Sequence, residues 1–180
     1  MKILLLALML LPTRLFSQKF TLNELTFLHS ADWITFDSFV TSRGYSLENK
    51  NTTAITGNRI VIHANSNKRI DSVKSYKYSR NGGKTDYYIS KTNYDYSNNP
   101  EVKIIFKTKE SKDYNEIKKA IKKTGFKYLN SESHVEKNRI EKLRFFRKGN
   151  HTVSLVIGQL TENNVVVKKS YFFEVHIFNR

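Results

Sequence analysis

The sequence predicts an α+β domain in which one helix packs on antiparallel β-strands, an arrangement built twice in tandem. Two stretches, SADWITFDSFVTSRGY (30–45) and SKDYNEIKKAIKKTGF (111–126), share the pattern of an amphipathic helix with defined ends. Segments rich in β-branched and aromatic residues follow each of them. Asn81-Gly82 and Gly149-Asn150 are typical of tight hairpin turns between such segments. A helix with one apolar stripe and a sheet with one apolar face bury each other.

The ends of the two helices support an internal duplication. Gly44 and Gly125 fall where a left-handed residue ends a helix, and an aromatic residue follows each glycine. Ser30 and Ser111 are the expected N-caps, since a serine hydroxyl accepts a hydrogen bond from a free amide of the first turn. The alternative is two unrelated helices that are each well capped.

Further elements follow from local patterns. Leucines spaced by three predict a short leading helix over 21–29. The predicted strands of the two halves are 59–64, 73–80, 85–91, 101–108, 140–148, 151–160 and 170–178. We therefore expect two repeats, 21–92 and 102–178, joined near 93–101, where Asn-Asn-Pro breaks both helix and strand.

The first residues predict export. MKILLLALMLLPTRLFSQ has a basic start, a short apolar run and a small residue near its end, which is typical of a secretory signal peptide over 1–17. The apolar run is shorter than the roughly 20 residues that span a bilayer, although an uncleaved anchor is the alternative. Removal of Lys2 and Arg14 lowers the formal net charge from +15 to +13 over a single domain, 18–180. The chain has no cysteine, which excludes disulfides and thiolate metal sites.

The composition carries a resemblance. Lysine, asparagine, isoleucine and tyrosine are abundant, and the leader ends in Phe16-Ser17-Gln18. In these features the chain resembles uncharacterised exported proteins of Bacteroidota, which implies a periplasmic or secreted location at a Gram-negative envelope. Tandem helix-plus-sheet units also resemble the architecture of β-lactamase inhibitory proteins, and this likeness of fold alone implies a binding role.

No catalytic motif is present. The sequence has no G-x-S-x-G elbow, no G-x-x-x-x-G-K loop and no H-E-x-x-H helix, and its five histidines fall in different predicted elements. We therefore predict no catalytic residue, no metal site and no cofactor. The alternative is a hydrolase on an extracellular polymer whose site is assembled from distant positions.

Three tyrosines are candidate anchors of a protein interface. Tyr88 is expected on the strand face opposite Tyr76 and Tyr78, and Tyr94 and Tyr96 are expected in a loop. Exposed tyrosines beside charged residues are typical of protein interfaces. The alternative role is cross-strand packing on an exposed face of the sheet.

The second helix carries a candidate anion-binding surface. Lys118, Lys119, Lys122 and Lys123 lie mostly away from its predicted apolar stripe. They form either a solvated face or a docking surface for another protein or an anionic envelope component, such as lipopolysaccharide or anionic lipid. Nucleic acid is disfavoured as a partner, because the chain carries a leader and no nucleic-acid-binding motif. The sequence predicts no oligomeric state.

Overall fold

A computed structural model describes residues 19–54, 70–80, 87–96, 100–136, 138–162 and 165–179. Within these residues, three helices lie against one face of an eight-stranded antiparallel sheet, which confirms the predicted α+β class. The predicted signal peptide lies outside the described residues, as does the predicted strand over 59–64.

The elements alternate between helices and runs of four strands. The helices are α1 (Leu22–Ser30), α2 (Trp33–Ser42) and α3 (Ser111–Lys123). The strands are β1 (Ser46–Ala54), β2 (Ile70–Ser79), β3 (Tyr88–Tyr96), β4 (Glu101–Thr108), β5 (Lys127–Glu136), β6 (Arg139–Lys148), β7 (His151–Glu162) and β8 (Val165–Asn179). None of the described helices combines the length and the apolar character needed to cross a membrane.

The sheet order is β1-β2-β3-β4-β8-β7-β6-β5, and every neighbouring pair is antiparallel. Each run of four strands is a meander, and the two meanders meet where β4 pairs with β8. The strand that comes last in the chain is therefore one of the two central strands. The predicted junction over 93–101 covers the end of β3 and the start of β4, and these two strands pair with each other.

The apolar core lies between the helices and one face of the sheet. The register aligns Tyr78, Ile89, Phe106, Val175 and Leu155 in one row across five strands. All five are buried among the apolar side chains of the helices. Because side chains alternate along a strand, the residues between them point to the other side of the sheet, which we call the far face.

The two helix C-termini are built alike, as predicted. Gly44 and Gly125 have φ of 78° and 81°, the left-handed conformation that glycine adopts most readily. The amide of each following aromatic residue donates to a carbonyl five residues earlier, at 3.4 and 3.3 Å. These bonds satisfy backbone carbonyls that the end of a helix would leave without partners.

The predicted N-caps are wrong. Ser30 is the last residue of α1, where its hydroxyl donates to a carbonyl of the same helix at 3.1 Å. Asp32 caps α2 instead, and its carboxylate accepts from the amide of Thr35 at 2.7 Å. Ser111 is the first helical residue of α3, whose N-cap is Glu110 and has no side-chain capping bond.

Most of the strand predictions are confirmed, with shifted ends. The leading helix is α1, β4 coincides with the predicted 101–108, and the Gly149-Asn150 turn joins β6 to β7. The Asn81-Gly82 turn lies outside the described residues. The described register pairs Tyr78 with Ile89, whereas the predicted two-residue turn would pair Tyr78 with Thr85.

Candidate binding sites

Tyr88 lies on the far face, as predicted, but its polar group is already engaged. The strand pairing sets it beside Lys107 of β4, and its hydroxyl donates to Glu174 Oε1 of β8 at 3.3 Å. The ammonium groups of Lys77 and Lys107 lie 5.1 and 5.6 Å from the centre of its ring. Burial and the nearby Glu174 carboxylate raise the pKa of Tyr88. This tyrosine therefore belongs to a polar network of the sheet itself.

The expected location of Tyr94 and Tyr96 in a loop is wrong, since both belong to β3. The backbone of Tyr94 is paired on both sides, with Val73 of β2 and Glu101 of β4. Its side chain is half-buried, and burial raises its pKa. Tyr96 ends the strand. Strand β3 continues through these residues because β2 and β4 lie on either side and pair with its backbone.

Glu174 is the centre of the far-face network. Its carboxylate accepts from His176 Nε2 at 2.8 Å, and the ammonium of Lys107 lies 3.9 Å from it. Burial alone would raise the pKa of Glu174, but the His176 hydrogen bond and the neighbouring cations outweigh it and lower the pKa. Glu174 is therefore a buried, ionised group that is well supplied with partners.

Ser154 lies directly opposite His176 on the neighbouring strand, so serine, histidine and glutamate occur side by side. The set lacks the geometry of a catalytic triad. In a triad the histidine bonds the serine with one ring nitrogen and the carboxylate with the other. Here the Ser154 hydroxyl bonds no described residue and is 1% exposed, so an approaching substrate could not reach it.

The structure extends the predicted lysine surface to a larger group. Lys127 of β5 pairs directly with Arg147 of β6, just beyond the C-terminus of α3. Lys148 donates from Nζ to the carbonyl of Thr124 at 2.7 Å, which ties the β6–β7 turn to the end of the helix. We call the combined set, which continues from α3 around the β5 edge of the sheet to Lys127 and Arg147 on the far face, the basic cluster: Lys118, Lys119, Lys122, Lys123, Lys127, Arg147 and Lys148.

The basic cluster has no internal counter-charge. Its side chains are exposed apart from Lys118, which is half-buried, and none of them ion-pairs with a carboxylate of the described residues. The acidic residues of α3 lie in its first half, where Glu116 pairs with Lys19 at 2.6 Å. The second half of α3 therefore has a concentrated positive charge without an ion-paired carboxylate among the described residues, although Glu116 is close enough to Lys119 for a weaker electrostatic interaction.

The two predicted sets of binding residues lie on opposite sides of the sheet. Tyr88 and Tyr94 are on the far face, whereas the lysines of α3 belong to the helix layer. The structure does not bring them into one surface. Sequence reasoning missed Arg147 and Lys148, because only the strand pairing and the turn bring these residues to the end of α3.

The part of the chain that the structure describes has no group of three histidine or carboxylate side chains placed to hold a metal ion. No family model matches the sequence, and comparison with curated proteins and with solved structures gives no match.

Proposed function

We propose that this protein is an exported, non-enzymatic binding protein of the cell envelope or periplasm, and that its ligand is an anionic envelope component. The observation that carries the proposal is the basic cluster, seven cationic side chains on rigid elements without a carboxylate partner among the described residues. The leader, with its basic start and short apolar run, supports export.

The energetics of the basic cluster favour a ligand. Lys118 and Lys122, like Lys119 and Lys123, are four residues apart on a helix, where like charges repel by a few tenths of a kcal/mol. An anionic lipid surface would reverse this cost, since each lysine or arginine near such a surface contributes about 1 kcal/mol. Seven cations held together would therefore bind such a surface through many weak contacts acting at once.

A partner protein on the far face has less support. The hydroxyl of Tyr88 is bonded to Glu174, and Tyr94 is half-buried in the middle of paired strands. Anchors of an interface need side chains that are free to enter a partner's pocket. A hydrolase has less support too, because the buried Ser154 hydroxyl has no hydrogen bond to His176.

We infer further that the fold is a duplicated unit. A helix followed by a four-stranded meander occurs twice, and both helices end on a left-handed glycine followed by an aromatic residue. The first copy would run from α1 to β4 and the second from α3 to β8, with the boundary at residues 109–110. Deletion of either unit should unfold the remaining one, because its inner strand, β4 or β8, would lose the strand with which it pairs.

Vesicle binding tests the proposed ligand. The chain from Gln18 is mixed with vesicles of neutral phosphatidylcholine, with vesicles containing anionic phosphatidylglycerol, and with lipopolysaccharide micelles, at increasing salt. We expect binding to the anionic surfaces alone, falling steeply as salt screens the charges. The double variant Lys122→Gln/Lys123→Gln should bind at least tenfold more weakly.

Lys112→Gln/Lys142→Gln is the matched control, because it removes the same charge from two exposed lysines outside the basic cluster. It should keep the affinity of the unmodified chain. Equal losses in the two double variants would show that only net charge matters and would refute a localised site. Binding to neutral vesicles at high salt would refute the electrostatic mechanism.

A further inference from the structure

Strand β5 leaves one edge of the sheet open over its second half. Among the described strands it pairs with β6 alone, and residues 131–136 follow the single register shift in that pairing. The side chains of residues 131–135 are exposed. The segment SESHVE has no lysine, arginine or proline, and the register is regular throughout. Native proteins usually block an edge strand with such residues or with a bulge, so this half of β5 is open to pairing with another strand.

The opposite edge strand, β1, carries these protections. Its pairing with β2 shifts between Leu47 and Asn49, and Lys50 follows directly after the shift. The Lys50 ammonium lies 5.0 Å from the centre of the Tyr76 ring, which holds the charge at this edge. The two edge strands therefore differ, and β5 is the one better suited to accept a further strand.

An exposed apolar pair lies at the open edge. Val135 of β5 pairs directly with Ile140 of β6, on the helix side of the sheet. Val135 is 77% exposed and Ile140 is 39% exposed, and neither belongs to the apolar core beneath the helices. A strand added to β5 would cover the outer side of Val135 and remove apolar surface from water.

We propose that two copies of this chain pair through residues 131–136 of β5, antiparallel about a two-fold axis at Ser133, so that their sheets join into one. An axis perpendicular to the sheet keeps both helix layers on the same side, and residues that meet across it share a face. Each open edge would then be covered by the other copy, which closes the assembly at two chains.

The charges of β5 select a second copy and this register. With Ser133 at the axis, Glu132 of each copy lies directly opposite His134 of the other. Within one chain, His134 Nε2 lies 3.2 Å from Glu132 Oε2, and both side chains remain about half exposed. Pairing would therefore surround each carboxylate with two imidazoles. An axis at Glu132 would instead bring two carboxylates together, which is destabilising.

The net positive charge of the chain does not prevent this association. Lys127, the residue of the basic cluster on β5, lies six positions before Ser133, so antiparallel pairing sets the two Lys127 residues twelve positions apart. At the rise of a strand this is about 40 Å. Exposed charges are screened beyond about 8 Å at physiological salt, so the two basic clusters would repel each other little.

This proposal goes beyond the proposed envelope binding and does not rest on it. Residues 131–136 include no member of the basic cluster, and association requires no anionic ligand. A dimer would carry two basic clusters, which would strengthen binding to a surface that offers many anionic groups. Association is therefore tested without any lipid, so either proposal can fail alone.

Sedimentation velocity over a wide range of protein concentration tests the dimer, with the chain from Gln18. We expect a reversible monomer–dimer equilibrium. Val135→Lys should raise the dissociation constant at least tenfold, because it replaces the exposed apolar side chain with a charge close to the axis. Leu47→Lys is the matched control, since Leu47 is an exposed apolar residue of the opposite edge strand, and this variant should associate like the unmodified chain.

Cysteine cross-linking tests the register. The chain has no cysteine, so Ser133→Cys introduces a single thiol, and opposite residues of an antiparallel pair are close enough for a disulfide. Mild oxidation should link two copies of Ser133→Cys. Thr52→Cys, at an exposed position of β1, should stay unlinked at the same concentration.

Four results would overturn the proposal. A monomer at every concentration would exclude the dimer. Equal dissociation constants for Val135→Lys and the unmodified chain, or equal weakening in Leu47→Lys, would show that β5 is not the interface. Cross-linking that is absent in Ser133→Cys, or no greater there than in Thr52→Cys, would refute an axis at Ser133. Circular dichroism of each variant confirms that a loss of association is not a loss of fold.

Discussion

The ring of Phe172 occupies the space above Gly158, its direct partner across the β7–β8 pairing. A Cβ atom placed on Gly158 would lie 2.0 Å from Cζ of Phe172, well inside contact distance. The ammonium of Lys107 lies 4.4 Å from the ring centre, and Phe172 is only 3% exposed. An aromatic side chain that covers a strand glycine is a known means of stabilising a sheet where the glycine offers no side chain.

Gly158→Ala is expected to destabilise the protein by about 1–3 kcal/mol, the usual cost of forcing extra atoms into a packed site. The backbone of Gly158 needs no positive φ, so the cost comes from the clash with Phe172 alone. A second change, Phe172→Leu, should therefore recover part of the loss. Urea denaturation of both single variants and the double variant measures this coupling.

Gly125→Ala is the contrasting control. A Cβ at Gly125 has nothing within 4 Å, but φ there is +81°, so this substitution costs stability through backbone strain. Phe172→Leu should not relieve that cost. Additive effects of Gly158→Ala and Phe172→Leu would contradict the proposed clash.

Lys91 stabilises the end of α1 from inside the core. Its ammonium, 3% exposed, donates to the carbonyls of Leu28 at 3.0 Å, His29 at 3.3 Å and Ala31. These are carbonyls that the end of a helix leaves without partners. Lys91→Met should cost about 1–3 kcal/mol in the free energy of unfolding. Lys74→Met, which removes a cation from the face of Trp33, should cost less.

The stability contributed by Lys91 should depend on pH. Burial lowers its pKa from 10.5 to about 8, so between these values the unfolded chain holds the proton more tightly than the folded one. The free energy of unfolding therefore rises with pH across this window, and the gap between the unmodified chain and Lys91→Met should widen. A narrowing gap would mean that the three carbonyls favour the cation more than burial disfavours it.

His29 should make the fold sensitive to acid. It is 3% exposed, its Nε2 lies 3.0 Å from the Val102 carbonyl, and burial lowers its pKa to about 4. Between pH 6.5 and 4 His29 binds a proton in the unfolded chain but not in the folded chain, so the free energy of unfolding falls as pH falls. The loss approaches roughly 3 kcal/mol, and His29→Gln should remove it.

Denaturation of the two forms at several pH values between 4 and 7 measures the effect of His29. His134→Gln, at an exposed position of β5, should leave the contribution of His29 in place. If the loss of stability in acid is the same with and without His29, other titratable groups cause it.

Helix capping gives a simple comparison. Asp32→Ala should lower the melting temperature clearly, because it removes the acceptor for the amide of Thr35. Ser30→Ala and Ser111→Ala should change it little, since neither serine caps the helix that follows it. A larger loss of melting temperature in either serine variant would mean that this serine caps the helix, as predicted from the sequence.

The sequence predicts this fold best where the apolar pattern is strong. The three helices and strands β4, β6, β7 and β8 have clear periodicity or clear turns. Strands β1 (SLENKNTTA) and β5 (KYLNSESHVE) were missed because both are edge strands with mainly polar side chains. They are strands because β2 and β6 offer them backbone partners, a tertiary effect that no local pattern encodes.

The candidate binding sites, too, could be predicted only where a local sequence pattern determines them. The exposed lysines of α3 could be predicted, because helical spacing fixes which side faces the core. Tyr88, Lys107 and Glu174 of the far-face network come from three strands, and only the order β3-β4-β8 brings them together. Since β4 and β8 are distant in the chain, no pattern within either segment indicates that they meet.

The position of β8 between β4 and β7 has a consequence for the order of folding. The central pairing joins residues as distant in sequence as Lys103 and Phe178, and such long-range contacts form slowly. Until β8 has paired, β4 and β7 present unpaired strand edges, which are prone to aggregation. The described sheet is therefore complete only once β8, the last of its strands in chain order, has joined the two meanders.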